Sequence, residues 1–119
     1  MDTVAESDPL LDPDQIELLR DALGEEELVR MLSQLPAAAE DALQRIRECL
    51  AAADLAETRK SAHVLKGFSS SLGAARLSTI ACEIELDLAT LAEVEARMPV
   101  LAETIEATIA AVAAMQERP

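Results

Sequence analysis

Apolar residues recur at spacings of three and four along most of this chain, the period of helices that bury one face. The first stripe is short. Ile16, Leu19 and Leu23 follow the stretch "DPDQ", in which Asp12 serves as N-cap and Pro13 takes the first helical position. Gln15 is placed for a capping-box contact, and Gly24 ends the helix as a left-handed cap. Glu25, Glu26 and Glu27 open the next helix, where the macrodipole favours negative charge. Its seam runs through Leu28, Leu32, Leu35, Ala39, Ala42, Ile46, Cys49 and Ala53. Pro36 lies inside that seam and is expected to kink the helix rather than end it. Asp54 with Glu57 caps a further helix, which Gly73 closes. Leu77, Ile80, Ala81, Ile84 and Leu88 stripe another. Thr90 and Glu93 repeat the capping-box spacing ahead of a last long helix marked by Leu91, Val94, Met98, Leu101, Ile105, Val112 and Met115, with a kink expected at Pro99.

One short helix and four longer ones, joined by very short connections, predict an all-α fold. Short links force neighbours to run antiparallel, so the expected architecture is an up-down four-helix bundle with a short additional N-terminal helix. Residues 1–11 read as a polar tail and 12–117 as a single helical domain. The composition agrees: half of the 119 residues are hydrophobic, and Phe68 is the only aromatic. Alanine and leucine favour helices over strands.

The formal charge of −13 argues against nucleic acid and anionic membrane surfaces as partners, since no basic stripe offsets the acid. The first ten residues lack the basic start and apolar run of a signal peptide, and no apolar run approaches bilayer-spanning length. Cys49 and Cys82 form no C-x-x-C pair and fall on apolar stripes, which predicts buried free thiols suited to a reducing cytosol. A cytoplasmic monomer is expected.

Candidate chemistry gathers in "SAHVLKGFSSSLG", Ser61 to Gly73, which holds the only histidine. At roughly 100° per residue, Leu65 and Leu72 fall nearly opposite His63 and face the core. His63 then faces solvent, with Arg59 one turn before, Lys66 and Gly67 one turn after, and Ser70 two turns after. A chain with 23 acidic and ten basic side chains has placed two bases within a turn of its one imidazole. Gly67 costs a helix about 1 kcal/mol relative to alanine, which makes sense if bulk there would obstruct something approaching His63. Neutral imidazole is a nucleophile. The neighbouring cations disfavour imidazolium and would stabilise the oxygens of an attached phosphoryl group. His63 reads as a surface phosphoryl acceptor.

The run "AHVLKGFSSSLGAARLSTIACEIE", Ala62 to Glu85, resembles the histidine-containing phosphotransfer (HPt) domain family. The matching residues are His63, Leu65, Lys66, Gly67, Ser69, Leu72, Gly73, Ala74, Leu77, Cys82, Ile84 and Glu85. The resemblance implies an antiparallel four-helix bundle with an exposed phosphorylatable histidine. It implies a phosphorelay role, in which His63 accepts a phosphoryl group from a receiver-domain aspartate and passes it to another receiver. His63 would be the phosphorylated residue, Lys66 its electrostatic partner and Gly67 the access residue. The implied partners are response-regulator receiver domains and a hybrid histidine kinase. No cofactor is implied for this chain, because the Mg²⁺ belongs to the receiver. Docking is expected around the histidine, at Arg59 and Ser70, and on the early helices at Ile16, Leu19, Met31 and Gln34. The dimerisation helices of histidine kinases differ, since His63 is followed by Val-Leu-Lys-Gly and no nucleotide-binding domain follows. ATP-dependent kinase activity is not expected.

Other classes fit less well. Di-iron bundles need two Glu-x-x-His pairs, which one histidine cannot supply. A zinc site fails on the spacing of Cys49 and Cys82, so no metal is expected. Triad hydrolysis needs a cleft, and Ser70 on the same exposed helix lacks an orienting shell. A non-catalytic helical adaptor would share the fold, but would not need the His-Lys-Gly arrangement.

Overall fold

The computed structural model of the chain describes residues 8–116, and every regular element among them is helical. In chain order these are α1 (Pro13–Leu23), α2 (Glu25–Leu32), α3 (Leu35–Ala51), α4 (Leu55–Ser71), α5 (Ala75–Cys82) and α6 (Leu91–Gln116). A π-helical turn, Glu83–Asp87, continues α5. Helix α3 packs on α4, α4 on α5 and its π-turn, α5 on α6, and α6 back on α3. The core inside this ring is aliphatic, with Leu28, Leu32, Ile46, Leu65, Leu77, Ile80, Ile84 and Leu101 fully buried. Burying each such side chain contributes about 1.5–3 kcal/mol.

The caps explain where helices begin. The Asp12 carboxylate accepts the N–H groups of Asp14 and Gln15 at 3.0 and 3.5 Å. Asp54 accepts the Glu57 N–H at 3.0 Å. Thr90 and Glu93 form a reciprocal capping box: Oγ1 of Thr90 takes the Glu93 N–H, and the Glu93 carboxylate takes the Thr90 N–H.

Several expectations need correcting. Gln15 does not reach back to Asp12, whose N–H already donates to the Gly73 carbonyl at 2.8 Å; its amide instead donates to the Ser70 carbonyl at 2.6 Å. The helix expected to run from Glu25 through Pro36 is two helices. Proline has no N–H for an i−4 bond, the chain turns at Ser33–Gln34, and Pro36 stands in the first turn of α3. Gly24 has φ 88° but ψ 158°, an extended positive-φ conformation open essentially to glycine alone, and not the left-handed helical cap. The last helix is long and apolar enough to cross a membrane by length and composition, with a mean hydropathy of 1.4 over 18 residues, because alanines fill its outer face. In this fold Val94, Leu101, Thr104, Ile105, Thr108 and Val112 turn inward against the bundle. Helix α6 also runs unbroken through Pro99. The cysteines are free but only half-buried.

Residues 8–11 hold to the bundle. The Asp8 carbonyl accepts Arg76 Nε at 2.8 Å, its carboxylate accepts the Thr79 hydroxyl at 2.6 Å, and Pro9 accepts the Arg76 N–H. Of the expected polar tail, residues 1–7 lie outside the described residues, as does residue 117 at the far end of the expected domain.

Candidate functional site

Helix α4 carries the site because its two faces are so unequal. Thr58, Ala62, Leu65 and Ser69 are buried along one side. Their spacing of four, three and four residues leaves His63 on the other side, with its side chain 64 % exposed. The buried hydroxyls cost little, since Thr58 donates to the Asp54 carbonyl at 2.8 Å and Ser69 to the Leu65 carbonyl at 2.7 Å.

The imidazole is not surrounded by free cations. Its Nδ1 lies 2.6 Å from Oε2 of Glu85, and Lys66 Nζ lies 2.7 Å from Oε1 of the same carboxylate. One carboxylate therefore bridges the histidine and the lysine. This corrects the expectation that positive charge dominates the ring: the nearest charge is negative, and Lys66 is paired with it. The carboxylate accepts a hydrogen bond from Nδ1–H, which leaves Nε2 without a proton in the neutral ring. Glu85 is mostly buried and Lys66 is 28 % exposed, so both are held more firmly than ordinary surface groups. The lysine hydrogen bond, and then that of His63, holds the Glu85 carboxyl below the usual carboxylate range. Glu85 in turn raises the Lys66 ammonium above its usual value.

Glu85 reaches the ring because it sits in the π-turn. The Leu88 N–H donates to the Glu83 carbonyl at 3.0 Å, an i→i+5 bond that widens the turn. Leu88 then leaves in an extended conformation.

The other expected site residues separate into groups. Gly67 is exposed, and a Cβ built there would meet nothing within 4 Å, so no internal packing explains the glycine. Arg59 is half-buried, and its Nη2 donates to the Leu88 carbonyl at 3.0 Å. Ser70 is exposed, and its hydroxyl lies 2.6 Å from that of Ser78. Met31 and Gln34 line a small cleft with Phe68, Ser71 and Leu72, beside the Gly67 side of α4. Leu19 is half-buried. Ile16 offers no docking surface, because it is buried, and its Cδ1 lies 3.4 Å from where a Cβ on Gly73 would be. Among the described residues no three His, Cys, Asp or Glu side chains gather as a metal site.

Sequence reasoning gave Glu85 no role, although it belongs to the run that carries the resemblance. A regular helical wheel cannot aim it, because the π-turn changes the register. Two further side chains were missed: Leu86, which lies in the π-turn, and Val64, which follows His63 on the exposed face of α4. Val64 and Leu86 stand 67 % and 62 % exposed, and with Arg59, Lys60, His63 and Glu85 they line an open depression around the ring.

The sequence profile of the Hpt domain matches residues 30–117. Among solved structures, the histidine-containing phosphotransfer protein B (HptB) of Pseudomonas aeruginosa PAO1 is 31 % identical, with a TM-score of 0.69. The match covers 89 % of this chain and 90 % of that one. A search among curated proteins gives no match.

Proposed function

The chain belongs to the Hpt domain family, the histidine phosphotransfer modules of two-component signalling, and we propose that His63 accepts a phosphoryl group from the aspartate of one receiver domain and passes it to another. The observation that carries this reading is the exposed imidazole with Nδ1 held by Glu85.

Nε2 attacks the phosphorus of the receiver's aspartyl phosphate in line. An N–P bond forms, the O–P bond breaks, and the aspartate carboxylate leaves with the electron pair. The ring then carries a positive charge, which Glu85 offsets through the Nδ1 proton. Return or onward transfer reverses these steps. Keeping the proton on Nδ1 matters there too, because a neutral imidazole leaves far more readily than an imidazolate. Lys66, one turn along, places its ammonium beside the ring, where it can shift from Glu85 to the phosphoryl oxygens. The Mg²⁺ required for aspartyl chemistry stays with the receiver, and this chain needs no cofactor or ATP-dependent kinase activity of its own. The donor is the receiver of a hybrid histidine kinase and the acceptor that of a response regulator, met by a monomer in the cytoplasm.

The test is incubation with phosphorylated receiver domains. Label should move to the wild-type chain as an acid-labile, alkali-stable phosphohistidine, and His63→Gln should take none. Labelling of His63→Gln sinks the assignment. A His63→Gln chain that still supports its partner's signalling would return the protein to the adaptor class.

A further inference from the structure

The π-turn that aims Glu85 is held at both ends by arginines from other helices. At its start, Glu83 Oε1 pairs with Arg97 Nη2 of α6 at 3.0 Å, with the two side chains only 23 % and 15 % exposed. At its end, the Leu88 carbonyl accepts Arg59 Nη2 of α4 at 3.0 Å. Between these two contacts lies Glu85, bound to His63 and Lys66.

A π-turn is rare and less favourable than an α-turn, so something outside it must hold it. Reversion to α geometry changes the register by one residue, a rotation of up to about 100°. Glu85 would then leave Nδ1. Surface ion pairs do little of this work, but the Arg97–Glu83 pair is largely shielded, and a partly buried pair fixes geometry even where its net stability is small.

We infer that Arg97 and Arg59 are positioning residues, which clamp the π-turn and so set the tautomer of His63 through Glu85. The inference rests on the reading of His63 as phosphoryl acceptor, but its primary readout does not. The chain has a single histidine, so its two ring nitrogens give an unambiguous ¹⁵N signature of the tautomer.

The experiment uses the full chain and the variants Arg97→Met, Glu83→Ala and their double, with Arg97→Lys as the conservative variant. Each single variant should shift the neutral ring from the Nδ1–H toward the Nε2–H form. Each should also slow labelling of His63 by a phosphorylated receiver about three- to tenfold, roughly 0.7–1.4 kcal/mol of barrier. The double should be no worse than either single, because the two residues act as a pair. Arg97→Lys should recover most of the wild-type signature. An unchanged tautomer in the folded single variants overturns the clamp. Should Arg97→Met or Glu83→Ala fail to fold, Glu83→Gln keeps the shape without the charge and decides in the same way. Failure of the phosphotransfer reading looks different: wild type takes no label, while its tautomer still responds to Arg97.

Discussion

Glu85 has surrendered most of its freedom to two partners, and that has a pH signature. Its folded carboxyl is held down by Lys66 first and His63 second, while an unfolded glutamate titrates near about 4.3. A depressed carboxyl stabilises the fold fully above the unfolded value, and the contribution is lost as pH falls through the folded one. The melting-temperature gap between wild type and Glu85→Gln should therefore hold steady from about pH 6 to about 4.3, then close on further acidification. Thermal melts of both proteins across that range check it, and a gap that widens in acid would contradict it. Gly67 has the opposite character, since nothing in the chain occupies the space its side chain would take. Gly67→Ala should stabilise the isolated protein by up to about 1 kcal/mol, the helix propensity alone. Gly67→Gln should block transfer from a receiver, which must bring its recessed aspartate close, yet leave labelling by a small phosphodonor intact. Equal loss with both donors would rule out access as the reason for the glycine.

Among the elements, the turn from α4 to α5 shows the tightest link between sequence and geometry. Gly73 has φ 77°, its carbonyl accepts the Asp12 N–H, and Ile16 lies against the place of its missing side chain. Gly73→Ala should cost about 1–2 kcal/mol from the left-handed backbone alone, visible as a lower urea midpoint, and no loss would mean that the turn relaxes freely. Such positions were legible in the sequence because one residue's physics decides them. Gly73 as a helix end, Asp12 and Asp54 as caps and the Thr90–Glu93 box are all of this kind. The break before Pro36 was half legible: the missing N–H was evident, but the continuing apolar seam pointed to a kink, and the seam continues because α2 and α3 both face the same core. The π-turn was not legible at all. Its i→i+5 bond depends on Arg59 and Arg97, which lie far from Glu83–Asp87 along the chain. For the same reason, the exposure of His63 followed from the periodicity of α4, whereas its contact with Glu85 did not.

For the molecule as a whole, the division is between an aliphatic interior and a strongly acidic surface of net charge −13. Charged side chains cover much of that surface, and most basic ones are engaged locally: Arg20 with Glu17 and Glu25, Arg30 with Glu27, Arg45 with Asp41, Lys60 with Glu57. A surface of this sign offers no long-range attraction to an acidic receiver pocket. Recognition near His63 has to draw instead on apolar contact, and Val64 and Leu86 are the exposed apolar side chains that share the depression with the ring. Burying two such side chains against a partner is worth about 1.5–3 kcal/mol each at most, enough to move a transfer rate at sub-saturating receiver by tenfold or more on the scale of about 1.4 kcal/mol per decade. Val64→Ser with Leu86→Ser should thus slow phosphorylation by a receiver at least about tenfold and leave labelling by a small donor unchanged, because neither side chain is a member of the bridge formed by His63, Glu85 and Lys66. Leu18→Ser is the control: Leu18 is as exposed, at 69 %, but lies on α1 outside that depression. Paired rate measurements with protein and small donors decide it. If Leu18→Ser slows receiver transfer as much as the Val64 and Leu86 pair, the receiver is read by a wider surface than the rim of the histidine.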